Sequence, residues 1–68
     1  MPTARDLLRF LRAQGYREVR QSGSHVILEH PEKSLLVIPV HKGRDLPTGL
    51  FRRILKDAGF SVEDFRKY

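Results

Sequence analysis

Apolar residues along the chain recur first with the period of a helix, then in short strand-like runs, then with the period of a helix again. Ala4, Leu7, Leu8 and Leu11 fall at i, i+3, i+4 and i+7, one stripe of an amphipathic helix. Thr3 can cap its start, and Asp6, three positions on, completes a capping box with Asp in place of Glu. Arg5, Arg9 and Arg12 take another face, and Gly15 supplies the left-handed residue that stops the helix. Residues 16–21 carry too few apolar side chains for a central strand and suit a short edge strand. Ser22-Gly23-Ser24 reads as a turn, and His25 to Glu29 (His-Val-Ile-Leu-Glu) as a second strand. His30-Pro31-Glu32-Lys33 turns the chain again. Leu35 to Val40 forms a third strand, and Pro39 puts its end at an edge or outside the sheet.

Connections this short predict an antiparallel meander. After the polar stretch from His41 to Asp45 the helical period returns, entered through Leu46-Pro47-Thr48, with Leu50, Phe51, Ile54, Leu55 and Ala58 on one stripe. Arg52, Arg53 and Lys56 lie off that stripe, Gly59 stops the helix, and Phe60 can supply the hydrophobic contact of a Schellman ending. Ser61 and Asp64 open a last short helix, with Phe65 and Tyr68 folding back as anchors. The expected fold is α+β in the order α-β-β-β-α, a three-stranded antiparallel sheet with both long helices on one face and a short C-terminal helix. The second face of the sheet is left for solvent or a partner.

Composition narrows the picture. A chain of 68 residues is expected to be a single domain, 1–68, too short for a doubly wound sheet or a barrel enzyme. The absence of cysteine excludes disulfides and cysteine-zinc sites. Thirteen Lys and Arg against eight Asp and Glu give a net charge of +5, which favours an anionic partner, most often nucleic acid; the plainer reading is a well-solvated basic surface. No apolar run reaches the roughly 18 residues of a membrane span, and no apolar stretch of a signal peptide follows Met1, so a cytoplasmic protein without a membrane contact is expected.

Candidate chemistry rests on His25, His30 and His41, the only side chains expected to titrate near neutral pH. Gly23-Ser24-His25 is the sharpest local pattern: a turn with backbone N–H groups that can hold a phosphate, a serine hydroxyl, and an imidazole at the head of a strand. The plain alternative for His25 is a polar strand-end residue. His30 before Pro31 reads as a surface turn histidine. His41 opens the basic loop His41-Lys42-Gly43-Arg44 and is either a phosphate contact or simply exposed. Lys42 and Arg44 are the more specific basic pair, whereas the arginines of the two helices read as solvated faces. The spacing of the histidines lacks the pattern of a built metal site, so no metal and no cofactor are expected.

Taken in order, these pieces resemble the HicA-type toxins, the small mRNA interferases of HicA–HicB toxin–antitoxin pairs. The matching pieces are the helix ending Gly15-Tyr16, then Gly23-Ser24-His25, His30-Pro31 and Val37-Ile38-Pro39-Val40-His41. Gly43-Arg44-Asp45-Leu46 follows, then the run from Gly49 to Phe60. The resemblance spans about Thr3 to Phe65. It implies a double-stranded-RNA-binding-like fold, RNA (chiefly translated mRNA) as substrate, His25 as the catalytic residue and a HicB-type antitoxin as the silencing partner. Many relatives carry a polar residue after that histidine, where Val26 stands here. On this reading His25 takes the 2′-OH proton without a metal. Lys42, Arg44, His41 and the backbone around Gly23 and Ser24 contact RNA, and the free toxin is a monomer. A non-catalytic double-stranded-RNA-binding module and a pure interaction protein are the alternatives.

Overall fold

The computed structural model describes residues 2–41 and 44–68. Its elements run α1 (Ala4–Ala13), β1 (Arg17–Ser22), β2 (His25–Glu29), β3 (Leu36–Pro39), α2 (Thr48–Asp57) and α3 (Val62–Lys67). The sheet is antiparallel in the order β1-β2-β3, which is the predicted α-β-β-β-α arrangement.

Local chemistry punctuates each helix as the sequence suggests. The Thr3 hydroxyl accepts the Asp6 N–H at 3.2 Å, and the Asp6 carboxylate accepts the Thr3 N–H at 3.0 Å. Ser61 and Asp64 repeat the box at the start of α3, with distances of 3.1 and 2.8 Å. These bonds stabilise the charged carboxylates and hold both Asp6 and Asp64 below the usual value of 3.8. Both long helices end in a Schellman motif. The Tyr16 N–H reaches Leu11 O at 3.1 Å across Gly15, whose φ is 100°. The Phe60 N–H reaches Leu55 O at 2.8 Å across Gly59, whose φ is 86°. α2 starts differently: Pro47 stands at its N-cap with no side-chain bond.

Both helices lie on one face of the sheet. Leu7, Leu8, Phe10 and Leu11 of α1 and Phe51, Ile54 and Leu55 of α2 are buried against Val26, Leu28, Leu36 and Ile38. Alternation then puts His25, Ile27 and Glu29 of β2 on the open face, together with their cross-strand partners Val37 and Pro39. The third strand is shorter than predicted, and Leu35 is 55% exposed instead of paired. In β1 the register slips between Glu18 and Arg20, a bulge around Val19. The C-terminal anchors hold as expected: the Phe65 ring sits 5.5 Å from Phe10 and 4.9 Å from Phe51, both edge-on, and Tyr68 lies 5.6 Å from Phe10.

Tyr16 is 3% exposed, and its hydroxyl has no hydrogen-bond partner among the described residues. A buried unpaired hydroxyl costs on the order of 1–3 kcal/mol. Tyr16→Phe should therefore leave the thermal midpoint unchanged or raise it. Burial also pushes the Tyr16 phenol above its usual 10.0. The unfolded chain loses that proton first, so this contribution to stability is present below pH 10 and fades as the pH rises beyond it. Thermal melts from pH 8 to 11 should show a shallower alkaline decline in Tyr16→Phe than in the parent.

Candidate active site

The β1–β2 connection is a two-residue hairpin, Gly23-Ser24, closed by the pair Ser22 and His25. Gly23 has a φ of 59°, and no other hairpin residue has a positive φ. These signs fit a type II′ turn, in which glycine takes the first central position. Among the described residues nothing lies within 4 Å of the place a Gly23 Cβ would occupy, so the glycine meets a backbone requirement. Gln21 braces the turn by donating from Nε2 to Gly23 O at 3.1 Å. Sequence reasoning overlooked Gln21; its spacing of two from Gly23 is the only signal for it.

His25 is exposed at the head of β2, flanked by Ser22 on one side and Pro39 on the other. It heads β2 as expected, whereas Ser22, expected in the turn, belongs to β1, so that only Gly23 and Ser24 form the turn. Ser24 is half-buried, and its carbonyl accepts the Val40 N–H at 2.6 Å. That bond carries the β2–β3 ladder one residue past Pro39 and brings the approach to His41 up against the hairpin. His41 and Arg44 are exposed, and the Arg44 N–H returns to His41 O at 3.1 Å. Lys42, with Gly43, lies outside the described residues.

Asp45 and Leu46 are anchored beside the start of α1. Leu46 N–H donates to Pro2 O at 3.0 Å, and Thr3 and Asp45 form an isolated bridge. A groove of about 300 Å³ runs between α1 and the hairpin, lined by Arg5, Arg12, Gln21 and Val40 among others. Arg12 within it is ion-paired and hydrogen-bonded to Glu18. Arg9 stands 4.0 Å from Asp6, whereas Arg52, Arg53 and Lys56 are exposed on α2.

His30 departs from the expected surface turn histidine. It is half-buried, its Nδ1 accepts the Glu32 N–H at 3.0 Å, and its Nε2 bonds Gln14 O at 3.1 Å. The first bond assigns the proton to Nε2, which therefore donates to the carbonyl at the end of α1. Its ring lies 4.8 Å from Tyr16, and a Cβ on Gly15 would stand 3.0 Å from Nε2. The nearby Lys33 donates from Nζ to Ala58 O at 2.7 Å and lies 4.2 Å from the centre of the Phe60 ring, capping α2. A groove of about 630 Å³ passes between these residues, Arg17 and Glu29. It lies at the opposite end of β2 from His25, and its polar walls are already engaged, Arg17 with Glu29 at 3.7 Å. It is a furrow of the packing.

Among the described residues no group of three or more His, Asp or Glu side chains is gathered as a metal site, and no helix is long and apolar enough to cross a membrane. No curated protein matches the chain closely enough to count as a relative. The sequence model of one family, described as the HicA toxin of bacterial toxin–antitoxin systems, matches residues 4–60. That span begins with α1 and runs through the hairpin, the three strands and the Schellman ending of α2. The chain belongs to the HicA toxins.

Proposed function

We propose that this toxin is an endoribonuclease, an mRNA interferase acting in the cytoplasm, in which His25 removes the 2′-OH proton of a nucleotide and a HicB-type antitoxin neutralises the protein. The observation that carries the reading is the setting of His25: an exposed imidazole on the open sheet face, beside a glycine turn over which no other described residue lies within 4 Å of the Gly23 Cβ position. RNA contains its own nucleophile. A base for the 2′-OH and cations around the phosphorus suffice to cleave it, with neither a metal nor a cofactor. Lys42 and Arg44 serve as phosphate clamps, and the N–H groups of Gly23 and Ser24 offer a second anchor. The α-β-β-β-α order suits a double-stranded-RNA-binding-like scaffold that meets RNA by shape and phosphate contacts.

The open face also suits a protein partner. Ile27 and Val37 stand opposite each other on it, Val37 is 48% exposed, and Leu35 is exposed close to the same strand. An antitoxin seated on this apolar strip would cover His25 at its end.

Product chemistry tests the mechanism. Cleavage should leave a 2′,3′-cyclic phosphate and a 5′-hydroxyl, because the nucleophile is internal, and EDTA should not slow it. A 3′-hydroxyl with a 5′-phosphate would point to water as nucleophile and overturn the assignment. RNA binding without cleavage at any time would favour a non-catalytic double-stranded-RNA-binding module. No RNA binding even at low salt would favour a pure interaction protein. Affinity should fall steeply with salt, since each neutralised phosphate releases counterions. Changing Lys42 and Arg44 together to Ala should weaken binding and flatten the log–log salt slope by about one unit per lost contact. An unchanged slope would move the clamp to the helix arginines.

A further inference from the structure

Resting on the nuclease reading above, we infer that His41 is the general acid that protonates the leaving 5′-oxygen, so that the reaction runs on two histidines. In-line displacement at phosphorus places the attacking and leaving oxygens on opposite sides of the phosphate. One imidazole beside the 2′-OH is therefore poorly placed to serve the departing 5′-oxygen, and a second group that titrates near neutral pH is needed across from it.

The register of the sheet supplies that group. His25 is the cross-strand partner of Pro39, and the Val40 N–H bond to Ser24 O extends the ladder by one residue. Val40 packs against the core and so faces the helices. The next step of the alternation carries His41 back to the open side, as the diagonal neighbour of His25. Diagonal neighbours in an antiparallel pair stand about 7–8 Å apart, a gap that two imidazoles can span with a phosphate between them. His41 is exposed, and its carbonyl accepts the Arg44 N–H at 3.1 Å. His30, the third histidine, is five residues along β2 from His25. That is about 16 Å at 3.3 Å per residue, and both of its ring nitrogens are engaged.

The step balances. His25 takes the 2′-OH proton as the 2′-oxygen bonds to phosphorus. The P–O5′ bond breaks with its electron pair on the 5′-oxygen, and His41 gives that oxygen its proton. His25 leaves the step protonated and His41 neutral, and solvent exchange restores both.

A leaving group that needs no proton tests the assignment. An oligoribonucleotide that the parent protein cleaves is prepared with oxygen or sulfur as the 5′-bridging atom of the scissile phosphate. His41→Ala should cleave the oxygen substrate about 10²–10⁴-fold more slowly than the parent and the sulfur substrate at close to the parent rate, because a thiolate departs unprotonated. His25→Ala should be slow on both. His41→Gln, which keeps a hydrogen-bonding side chain but transfers no proton, should behave as His41→Ala does. Equal slowing of His41→Ala on both substrates would assign His41 to binding or folding, and full activity of His41→Gln would assign it to hydrogen bonding; either overturns the inference. Failure of the parent to cleave any RNA would instead overturn the nuclease reading itself, and the assignment of His41 with it.

Discussion

Replacing His25 with alanine should lower RNA cleavage by about 10²–10⁴-fold, the range for a lost general base. Folding should be untouched. His25 is exposed, and the strand end is held by backbone contacts that alanine keeps: the pairing with Ser22 on one side and the Val40 N–H bond to Ser24 O on the other. RNA binding should also persist, because one imidazole adds little to affinity built on many phosphate contacts. The informative result is thus a split: matched thermal midpoints and matched RNA affinities, with cleavage rates differing by orders of magnitude. Full activity in His25→Ala would remove the base from the mechanism. Loss of binding together with activity would make His25 a contact residue.

Leu11→Ala and Ile54→Ala should each destabilise the fold by about 2–5 kcal/mol, the usual range for truncating a large buried aliphatic side chain. Leu11 is 0% exposed and Ile54 5%, on the two helices that share one face of the sheet. Total stability at about 0.05–0.15 kcal/mol per residue comes to roughly 3–10 kcal/mol for 68 residues. Either substitution then removes a large part of what the fold has. At about 4–8 °C per kcal/mol for a domain of this size, the thermal midpoint should fall far enough that a marginal variant is unfolded at 37 °C. Unchanged midpoints in both variants would mean that the two apolar stripes do not share one core.

Much of the fold was legible because its determinants are local. Capping boxes at Thr3 and Ser61 and Schellman endings at Gly15 and Gly59 each involve residues within five positions of one another. A short pattern contains all that such a motif needs. The features that escaped are those made across the fold. His30 looks like any histidine before a proline until Gln14, sixteen residues away, is seen to accept from it. Lys33 reads as a turn lysine, but its partner Ala58 is twenty-five residues on. No local pattern records either pairing. The site divides the same way. The hairpin at Gly23-Ser24 could be read directly, whereas the pairing of His25 with Pro39, from which the place of His41 is inferred, depends on the register of two strands, which burial of Val26, Leu28, Leu36 and Ile38 on one face fixes only once the sheet has formed.

The bulge at Val19 and the proline at the end of β3 have a consequence for self-assembly. A sheet of three strands exposes two rows of unpaired backbone groups, and such rows invite strands from other molecules to add on. Every residue of β1 from Arg17 to Ser22 is exposed, arginine and glutamate are spread along it, and the bulge twists the row out of register. β3 offers only four residues and ends on Pro39, which has no N–H to give. Neither side is a good template for cross-strand growth, so a partner gains little by lengthening the sheet. On the reading proposed above, the antitoxin would lie across the strands instead, on the surface where His25 stands.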